Sequence, residues 1–120
     1  NLPDGGIILE PKHRVLVGTG LYFEIPEGIE VQIRPRSGLA LKQGVTILNS
    51  PGTIDADYRG ELFVMMTWIG EGNSYTIAKG ERIAQLLITP IPKSVFREVK
   101  IEQLGETDRG QGGFGSTGRF

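Results

Sequence analysis

Glycine and proline recur so often along this chain that no apolar run is long enough to form an extended helix. The 120 residues include 18 glycines and 7 prolines, which separate short runs rich in Val, Ile, Leu and Tyr. Short apolar runs between such turn formers are typical of β-strands joined by tight turns. A chain of this length has the common size of one domain. The sequence therefore predicts an all-β protein.

The runs between the turns predict roughly ten strands and one short helix. Residues 29–34 alternate apolar and polar side chains, so one face of that strand is buried and the other is wet. Residues 39–43, closed by Gly44, fit a single helical turn. Residues 49–52 have the composition of a hairpin turn. The predicted strands cover residues 7–10, 15–17, 21–25, 29–34, 45–48, 53–54, 61–69, 75–77, 83–89 and 95–101, at a spacing that fits a jelly-roll or sandwich.

Two segments stand apart from this pattern. Residues 61–69 are apolar at positions on both faces, which predicts full burial, either at the centre of a sandwich or at a subunit interface. Residues 109–120 contain five glycines and no strand period. We therefore divide the chain into a β domain, residues 1–108, and a glycine-rich C-terminal segment, residues 109–120.

Composition excludes several classes of function. A net charge of −1 gives no electrostatic footprint for nonspecific binding of nucleic acid or a membrane, so a small partner is expected. Without cysteine there is no disulfide or thiolate zinc site, and His13 alone cannot form a histidine cluster. No apolar stretch reaches the roughly 20 residues of a membrane span. A cytoplasmic protein is the default expectation, with the nucleus or an organelle as alternatives for a eukaryotic source.

The segment GTIDADYRGE, residues 52–61, carries the clearest chemical signal. Asp55 and Tyr58 fall three residues apart after a glycine turn, so both can face one pocket. An aspartate there can polarise a water, and open backbone groups beside it can pair with the edge of a pyrimidine. The alternative is an Asx-type turn in which Asp55 only caps backbone amides.

Three further segments offer groups for an oligophosphate. In PRSGLA, residues 35–40, Arg36, Ser37 and Gly38 suit phosphate oxygens, although a solvated arginine with a capping serine is equally common. In RIAQLL, residues 82–87, one amide, that of Gln85, lies among apolar neighbours and needs a partner or the wet face. The glycine-rich segment could fold over a ligand, or it could be a disordered, weakly RNA-binding tail.

These four segments, with RGQGGFGSTG as the last, closely resemble motifs two to five of the trimeric dUTP pyrophosphatase (dUTPase) family, in order and spacing, across residues 35–118. The position of Asn49, six residues before Asp55, also fits the family pattern. The resemblance implies a distorted jelly-roll (β-clip) homotrimer whose shared active sites hydrolyse dUTP to dUMP and pyrophosphate. That reaction limits uracil in DNA and supplies dUMP for thymidylate synthesis.

The resemblance also implies roles for particular residues. Asp55 would be the general base that activates the water attacking the α-phosphorus, and it would also contact the sugar 3′-hydroxyl. Tyr58 would pack against deoxyribose where a ribose 2′-hydroxyl would clash. Uracil would be bound by Asn49, Gly52 and Ile54, and Phe114 would stack on it. The positions implied for phosphate binding are Arg36, Ser37, Gly38, Gln85, Arg109, Gly115, Ser116 and Thr117. Of all these residues, Arg109, Phe114, Gly115, Ser116 and Thr117 would belong to a lid over a neighbouring subunit's site.

Magnesium is the cofactor that the resemblance implies, held by the triphosphate and by water rather than directly by the protein. The family's first motif, whose aspartate reaches the metal through water, does not occur within the 120 residues and is expected upstream of Asn1. Asp57 and Glu61 are assigned to the surface or to structural pairing. Two alternatives stay open: a dCTP deaminase of the same fold, and a non-catalytic β-trimer that binds a nucleotide or a protein partner.

Overall fold

A computed structural model describes residues 4–118 of the chain, which fold into eight short strands and one α-helix. A single turn of 3-10 helix at Ile101–Gln103 follows them. The predicted all-β class with one short helix is therefore confirmed. The elements are β1 (Ile7–Leu9), β2 (Arg14–Gly18), β3 (Ile29–Pro35), α1 (Ser37–Gln43), β4 (Val45–Ile47), β5 (Gly52–Ile54), β6 (Phe63–Trp68), β7 (Tyr75–Ile77) and β8 (Ala84–Pro90).

The strands form three small antiparallel sheets whose apolar faces meet in one core. Strand β1 pairs with β7, β6 lies between β2 and β4, and β3 lies between β5 and β8. In β3 the alternation predicted from the sequence is observed: Val31 and Ile33 are buried, whereas Arg34 is exposed. Strand β3 is thus the centre of its sheet, with Val31 opposite Ile54 of β5 and Ile88 of β8.

Strand β6 supplies much of the core. Val64, Met66 and Trp68 point inward and are at most 3% exposed, and the Trp68 indole donates a hydrogen bond to the Gln43 carbonyl at 2.6 Å. The outward positions are different, because Phe63 remains 45% exposed. Burial of both faces within a single chain is therefore not observed, since Phe63 is exposed and the other outward residues of β6 are half-buried. The alternative, burial of this face at a subunit interface, stays a prediction.

Helix α1 begins at Ser37, two residues earlier than predicted, because the Arg36 carbonyl already accepts the Ala40 amide at 3.0 Å. It ends at Gly44, whose φ of 69° lies in the left-handed region and whose amide bonds back to the Ala40 carbonyl. A side chain could not replace this glycine, since a Cβ would lie 2.5 Å from the Gly70 nitrogen. The glycine stop predicted from the sequence is confirmed.

Three local predictions are wrong because strand formation depends on partners that sequence periodicity does not reveal. Residues 21–25 make no strand; apart from the 2.8 Å bond from the Leu62 amide to the Leu21 carbonyl, no ladder continues there. Residues 95–101 also form no strand, because no other strand of residues 4–118 lies beside them. Residues 49–52 are not a hairpin turn, since β4 pairs with β6 and β5 pairs with β3.

The segment after β8 extends away from the strands. Nearly all of residues 91–118 are exposed, including Phe96 at 98%. The radius of gyration is 19.8 Å, whereas a compact domain of this length has roughly 14 Å. Within residues 4–118, no helix has the length and apolar character needed to cross a membrane. The C-terminal arm, residues 91–118, therefore has few contacts within its own chain.

A short polar cluster fixes the turn after β7. The Tyr75 hydroxyl donates to Glu81 Oε1 at 2.6 Å, and the Ala78 amide donates to Oε2 of the same carboxylate at 2.9 Å. The hydrogen bond to Glu81, burial and the negative charge of Glu81 together raise the pKa of Tyr75 from 10.0 to about 12. The folded state therefore favours the protonated phenol.

The raised pKa of Tyr75 makes the free energy of unfolding depend on this cluster at high pH. Because the folded pKa of Tyr75 is raised, its contribution to stability should be complete below pH 10.0 and should be lost as the pH rises through about 12. Chemical unfolding at fixed protein concentration should show a smaller fall in the free energy of unfolding across this range for Tyr75→Phe than for the parent. Replacement of the exposed Tyr22 by Phe is the control. Equal pH slopes for Tyr75→Phe and the parent would contradict the assignment.

Candidate active site

A cavity of about 250 Å³ opens between the sheets beside the turn at residues 49–52. Its wall includes the three kinds of group that the resemblance implies for a pyrimidine nucleoside: an amide, turn backbone and an aromatic ring. The predicted residues Asn49, Gly52, Ile54, Asp55 and Tyr58 all line it, together with Leu16, Ile33, Ile47, Thr53, Glu61, Leu62, Phe63, Val64 and Met65. The cavity volume lies just below the roughly 300–1,000 Å³ that is typical of sites for drug-sized ligands.

The turn at residues 49–52 carries the chain from one sheet to another. It is pinned by hydrogen bonds from the Leu48 amide to the Met65 carbonyl at 3.0 Å and from the Ser50 amide to the Ile47 carbonyl at 3.2 Å. Gly52 is buried, and a Cβ there would lie 3.3 Å from the Asn49 amide nitrogen. The glycine thus lets the Asn49 side chain pack against the start of β5 at the cavity wall.

Asp55 follows β5 directly and begins a second turn. The Tyr58 amide bonds to the Asp55 carbonyl at 3.1 Å, and the Arg59 guanidinium braces the loop by donating to the Ala56 carbonyl at 2.7 Å. Within residues 4–118, no backbone amide donates to the Asp55 carboxylate, so the Asx-turn alternative is wrong. The carboxylate is exposed at the cavity and has room to accept a proton from a water.

Glu61 was not predicted to line the cavity. Its carboxylate accepts the Gly20 amide at 2.8 Å, and its carbonyl accepts the Tyr58 hydroxyl at 2.8 Å. Structural pairing was the predicted role, and the bond to Gly20 agrees with it. Met65, also missed, forms part of the apolar wall. The alternation of β6, in which Val64 and Met66 face the core, is the signal that could have placed Met65 on the opposite face.

The predicted phosphate-binding residues outside the arm gather at a different place, where β3 meets α1 and β8 begins. The Arg36 guanidinium donates to the Arg82 carbonyl at 2.8 Å, and the Gln85 amide donates to the Pro35 carbonyl at 3.2 Å. Ser37 and Gly38 form the exposed first turn of α1, and a Cβ at Gly38 would meet nothing within 4 Å. Ser37 is not the cap, because Arg36 occupies that position without a side-chain cap bond. Neither Arg36 nor Gln85 lines the cavity.

The glycine-rich segment forms a series of tight turns of its own. Arg109 donates to the Gly112 carbonyl at 2.7 Å, and the Ser116 amide bonds to the Gly113 carbonyl at 3.0 Å. Phe114 is fully exposed, with a φ of 49°. No residue of this segment lines the cavity, so the predicted lid residues Gly115, Ser116 and Thr117 are not part of its wall in a single chain. One chain therefore presents three separate groups of predicted site residues.

The described residues offer no ready-made metal centre. Within residues 4–118 there is no group of three or more His, Asp or Glu side chains that could hold a metal ion. The Asp55 and Glu61 carboxylates both line the cavity, but Glu61 is already engaged by the Gly20 amide.

The fold and the site together define a class of small antiparallel β proteins whose cavity is lined by a carboxylate, an amide and an aromatic ring. Comparison with known proteins narrows this class. The family model described as dUTPase matches residues 5–118. The chain belongs to the dUTPase family.

Two relatives illustrate the match. Deoxyuridine 5′-triphosphate nucleotidohydrolase from Roseobacter denitrificans is 54% identical over 118 residues, which cover 98% of this chain and 76% of the relative. The protein of the same description from Hydrogenobaculum is 56% identical over 115 residues, which cover 96% of this chain and 78% of the relative. The similarity therefore extends over the β domain, the cavity and the arm.

Solved structures agree with the sequence comparison. The dUTPase of Staphylococcus bacteriophage 80alpha with dUpNHpp superposes with a TM-score of 0.79 at 32% identity, covering 94% of this chain and 80% of that one. A mutant dUTPase from phage phi11 of S. aureus, described with a structural Mg(II) ion, gives a TM-score of 0.67 at 25% identity, covering 80% of this chain and 78% of that one. The jelly-roll-like fold expected from the resemblance is confirmed.

Proposed function

We propose that this chain is a dUTP diphosphatase, which hydrolyses dUTP to dUMP and pyrophosphate. The observation that carries the proposal is the convergence of Asp55, Tyr58 and the amide-bearing turn at residues 49–52 on one cavity, in a chain of the dUTPase family. The relatives named above are nucleotidohydrolases of this specificity, and the phage enzyme binds a dUTP analogue. The cavity would hold the nucleoside part of the same substrate.

In this proposal Asp55 is the general base. Its carboxylate accepts a proton from water as the water oxygen bonds to the α-phosphorus, and the bond from that phosphorus to the oxygen bridging to the β-phosphorus breaks. The electron pair of that bond leaves with pyrophosphate. Asp55 is suited to this role because its carboxylate lies at the cavity and accepts no hydrogen bond from a backbone amide among the described residues.

Substrate recognition follows from the walls of the cavity. Asn49, with backbone groups of Gly52 and Ile54, would pair with the uracil edge, and cytosine would leave buried polar groups unpaired, at a cost of roughly 1–3 kcal/mol each. Tyr58 would pack against deoxyribose and exclude a 2′-hydroxyl. Phosphate groups would be held by Arg36, Ser37, Gly38 and Gln85, and the lid would add Arg109, Gly115, Ser116, Thr117 and the stacking ring of Phe114.

We further infer that three copies assemble and share their sites. Residues proposed to bind one triphosphate lie in three separate places in one chain, and the C-terminal arm has almost no contacts of its own. Exposed apolar side chains on β8 and the arm, such as Ile88 at 64% and Phe96 at 98%, need covering by other protein. A homotrimer in which the arm reaches a neighbour would satisfy both requirements.

Magnesium would enter with the substrate. A triphosphate supplies oxygen ligands of the kind that Mg²⁺ prefers, and Mg²⁺ commonly keeps several waters. No direct ligand from residues 4–118 is proposed, and the structural Mg(II) ion of the phage phi11 protein is a property of that protein.

The reaction itself separates this proposal from its alternatives. Incubation with dUTP and Mg²⁺ should release equal amounts of dUMP and pyrophosphate, measured by chromatography and a pyrophosphate assay, because attack at the α-phosphorus yields both. Incubation with dCTP should release no ammonia. Ammonia from dCTP without pyrophosphate from dUTP would establish the deaminase alternative, and tight nucleotide binding without either product would establish the non-catalytic one.

Replacement of Asp55 by Asn tests the general base. The amide keeps the shape of the side chain but cannot take the proton, so kcat should fall at least about a hundredfold while the KM for dUTP changes little. Steady-state kinetics provide the measurement. Asp57→Asn, at an exposed position two residues away, is the matched control and should retain the parent rate. A parent-like kcat in Asp55→Asn would remove Asp55 from the chemistry.

Deletion of residues 109–120 tests the lid. Because Arg109 and Phe114 contact nothing in the cavity of their own chain, their removal should leave the β domain and the trimer intact. The value of kcat/KM for dUTP should fall about a hundredfold or more through lost positioning. Light scattering gives the assembly mass and a coupled assay gives the rate. Normal hydrolysis by a truncated trimer would show that the segment is not a lid.

A further inference from the structure

Gly60 has no room for a side chain, because another side chain occupies the position of its Cβ. A Cβ placed on Gly60 would lie 2.4 Å from the Tyr58 hydroxyl oxygen, 2.5 Å from Cζ and 2.9 Å from Cε2 of the same ring. Separations below 3.0 Å are closer than packed carbon and oxygen atoms approach one another, which is about 3.5–4.0 Å for carbon pairs. The hydroxyl end of the Tyr58 ring therefore occupies the space beside the Gly60 Cα.

Glycine is required at position 60 for steric reasons and not because of its backbone conformation. Among the described residues, those with φ in the left-handed region include Gly44 and Phe114 but not Gly60. An alanine could therefore adopt the backbone of residue 60 without strain. The three heavy atoms nearest to its methyl group would all belong to the Tyr58 side chain.

A hydrogen bond holds the ring in this place. The Tyr58 hydroxyl donates to the Glu61 carbonyl at 2.8 Å. Leu62, the next residue, exchanges backbone hydrogen bonds with the loop after β2, with 2.8 Å from its amide to the Leu21 carbonyl and 3.2 Å from the Thr19 amide to its own carbonyl. The ring is thus attached at its tip to a backbone segment that is itself anchored.

We propose that Gly60 is a positioning residue for Tyr58: its missing side chain lets the ring lie against the backbone and bond to the Glu61 carbonyl, and so fixes where the aromatic wall of the cavity stands. The proposal rests on the proposed function, in which that wall meets deoxyribose. Tyr58 and Glu61 line the cavity, whereas Gly60 does not, so Gly60 acts on the ligand only through the ring.

The proposal predicts how Gly60→Ala behaves. Tyr58 is 44% exposed, so its ring has room to move and the fold need not open. The added methyl displaces the ring by on the order of 1 Å, breaks its bond to Glu61, and raises the KM for dUTP about tenfold. Gly5→Ala is the matched control, because a Cβ on Gly5 meets nothing within 4 Å and its φ is not left-handed.

A double-mutant cycle distinguishes positioning from a general effect on the fold. In a Tyr58→Ala background there is no ring to displace, so adding Gly60→Ala should change the KM for dUTP by less than about twofold. Steady-state kinetics and thermal unfolding are measured for the parent, both single variants, the double variant and Gly5→Ala. If Gly60→Ala fails to fold alone but folds in the Tyr58→Ala background, the steric coupling is demonstrated directly.

Three results would overturn the inference. They are an unchanged KM in Gly60→Ala, an equal effect of Gly60→Ala with and without the Tyr58 ring, and failure of the double variant to fold. Each is compatible with dUTP hydrolysis by the parent, so each leaves the proposed function standing. A parent chain that does not hydrolyse dUTP would overturn the proposed function and this inference with it.

Discussion

The pairing of β6 with strands on both of its sides is the interaction on which the site depends. One face of β6 carries Val64, Met66 and Trp68 into the core and the other carries Phe63 and Met65, and the cavity is lined by Phe63, Val64 and Met65. A slip of one residue would exchange these faces. The hydrogen bond from the Leu48 amide to the Met65 carbonyl then ties the turn at residues 49–52 to the same strand. Core packing and cavity shape are therefore fixed by one register.

Local sequence patterns predicted the elements whose shape is decided locally. The alternation of residues 29–34 predicted β3, and Gly44 predicted the end of the helix, because side-chain periodicity and a left-handed φ are properties of short segments. The failures at residues 21–25, 95–101 and 49–52 share one cause. Whether an extended segment becomes a strand, and which strand it joins, depends on partners distant in sequence.

The residues of the candidate site also include some that the sequence predicts and some that only the structure reveals. The resemblance to the family motifs predicted Asn49, Asp55 and Tyr58, and all three line one cavity. Gly60 and the Glu61 carbonyl could not be found from motifs of reactive side chains, since one contributes an empty space and the other a backbone oxygen. Groups of this kind become visible only when the distances to the Tyr58 ring are known.

A single chain accounts for the cavity proposed to hold the nucleoside, but it leaves two features unexplained. The residues proposed to bind the triphosphate lie in separate groups, and the C-terminal arm does not pack against its own chain. Assembly into a trimer would solve both at once, since apolar surface on β8 and the arm would be buried by the contact that delivers the lid. The proposed dUTPase activity is thus a property of the trimer, because each chain would contribute residues to every site.

That claim is tested most directly by mixing two inactive variants. Chains carrying Asp55→Asn supply a lid without a base, and chains lacking residues 109–120 supply a base without a lid. Co-expressed in equal amounts and purified as mixed trimers, they should regain about one third of the parent dUTPase rate per site, because base and lid come from different chains and each mixed trimer then has one site of its three with both intact. A rate no higher than the sum of the two variants measured separately would contradict sites shared between chains.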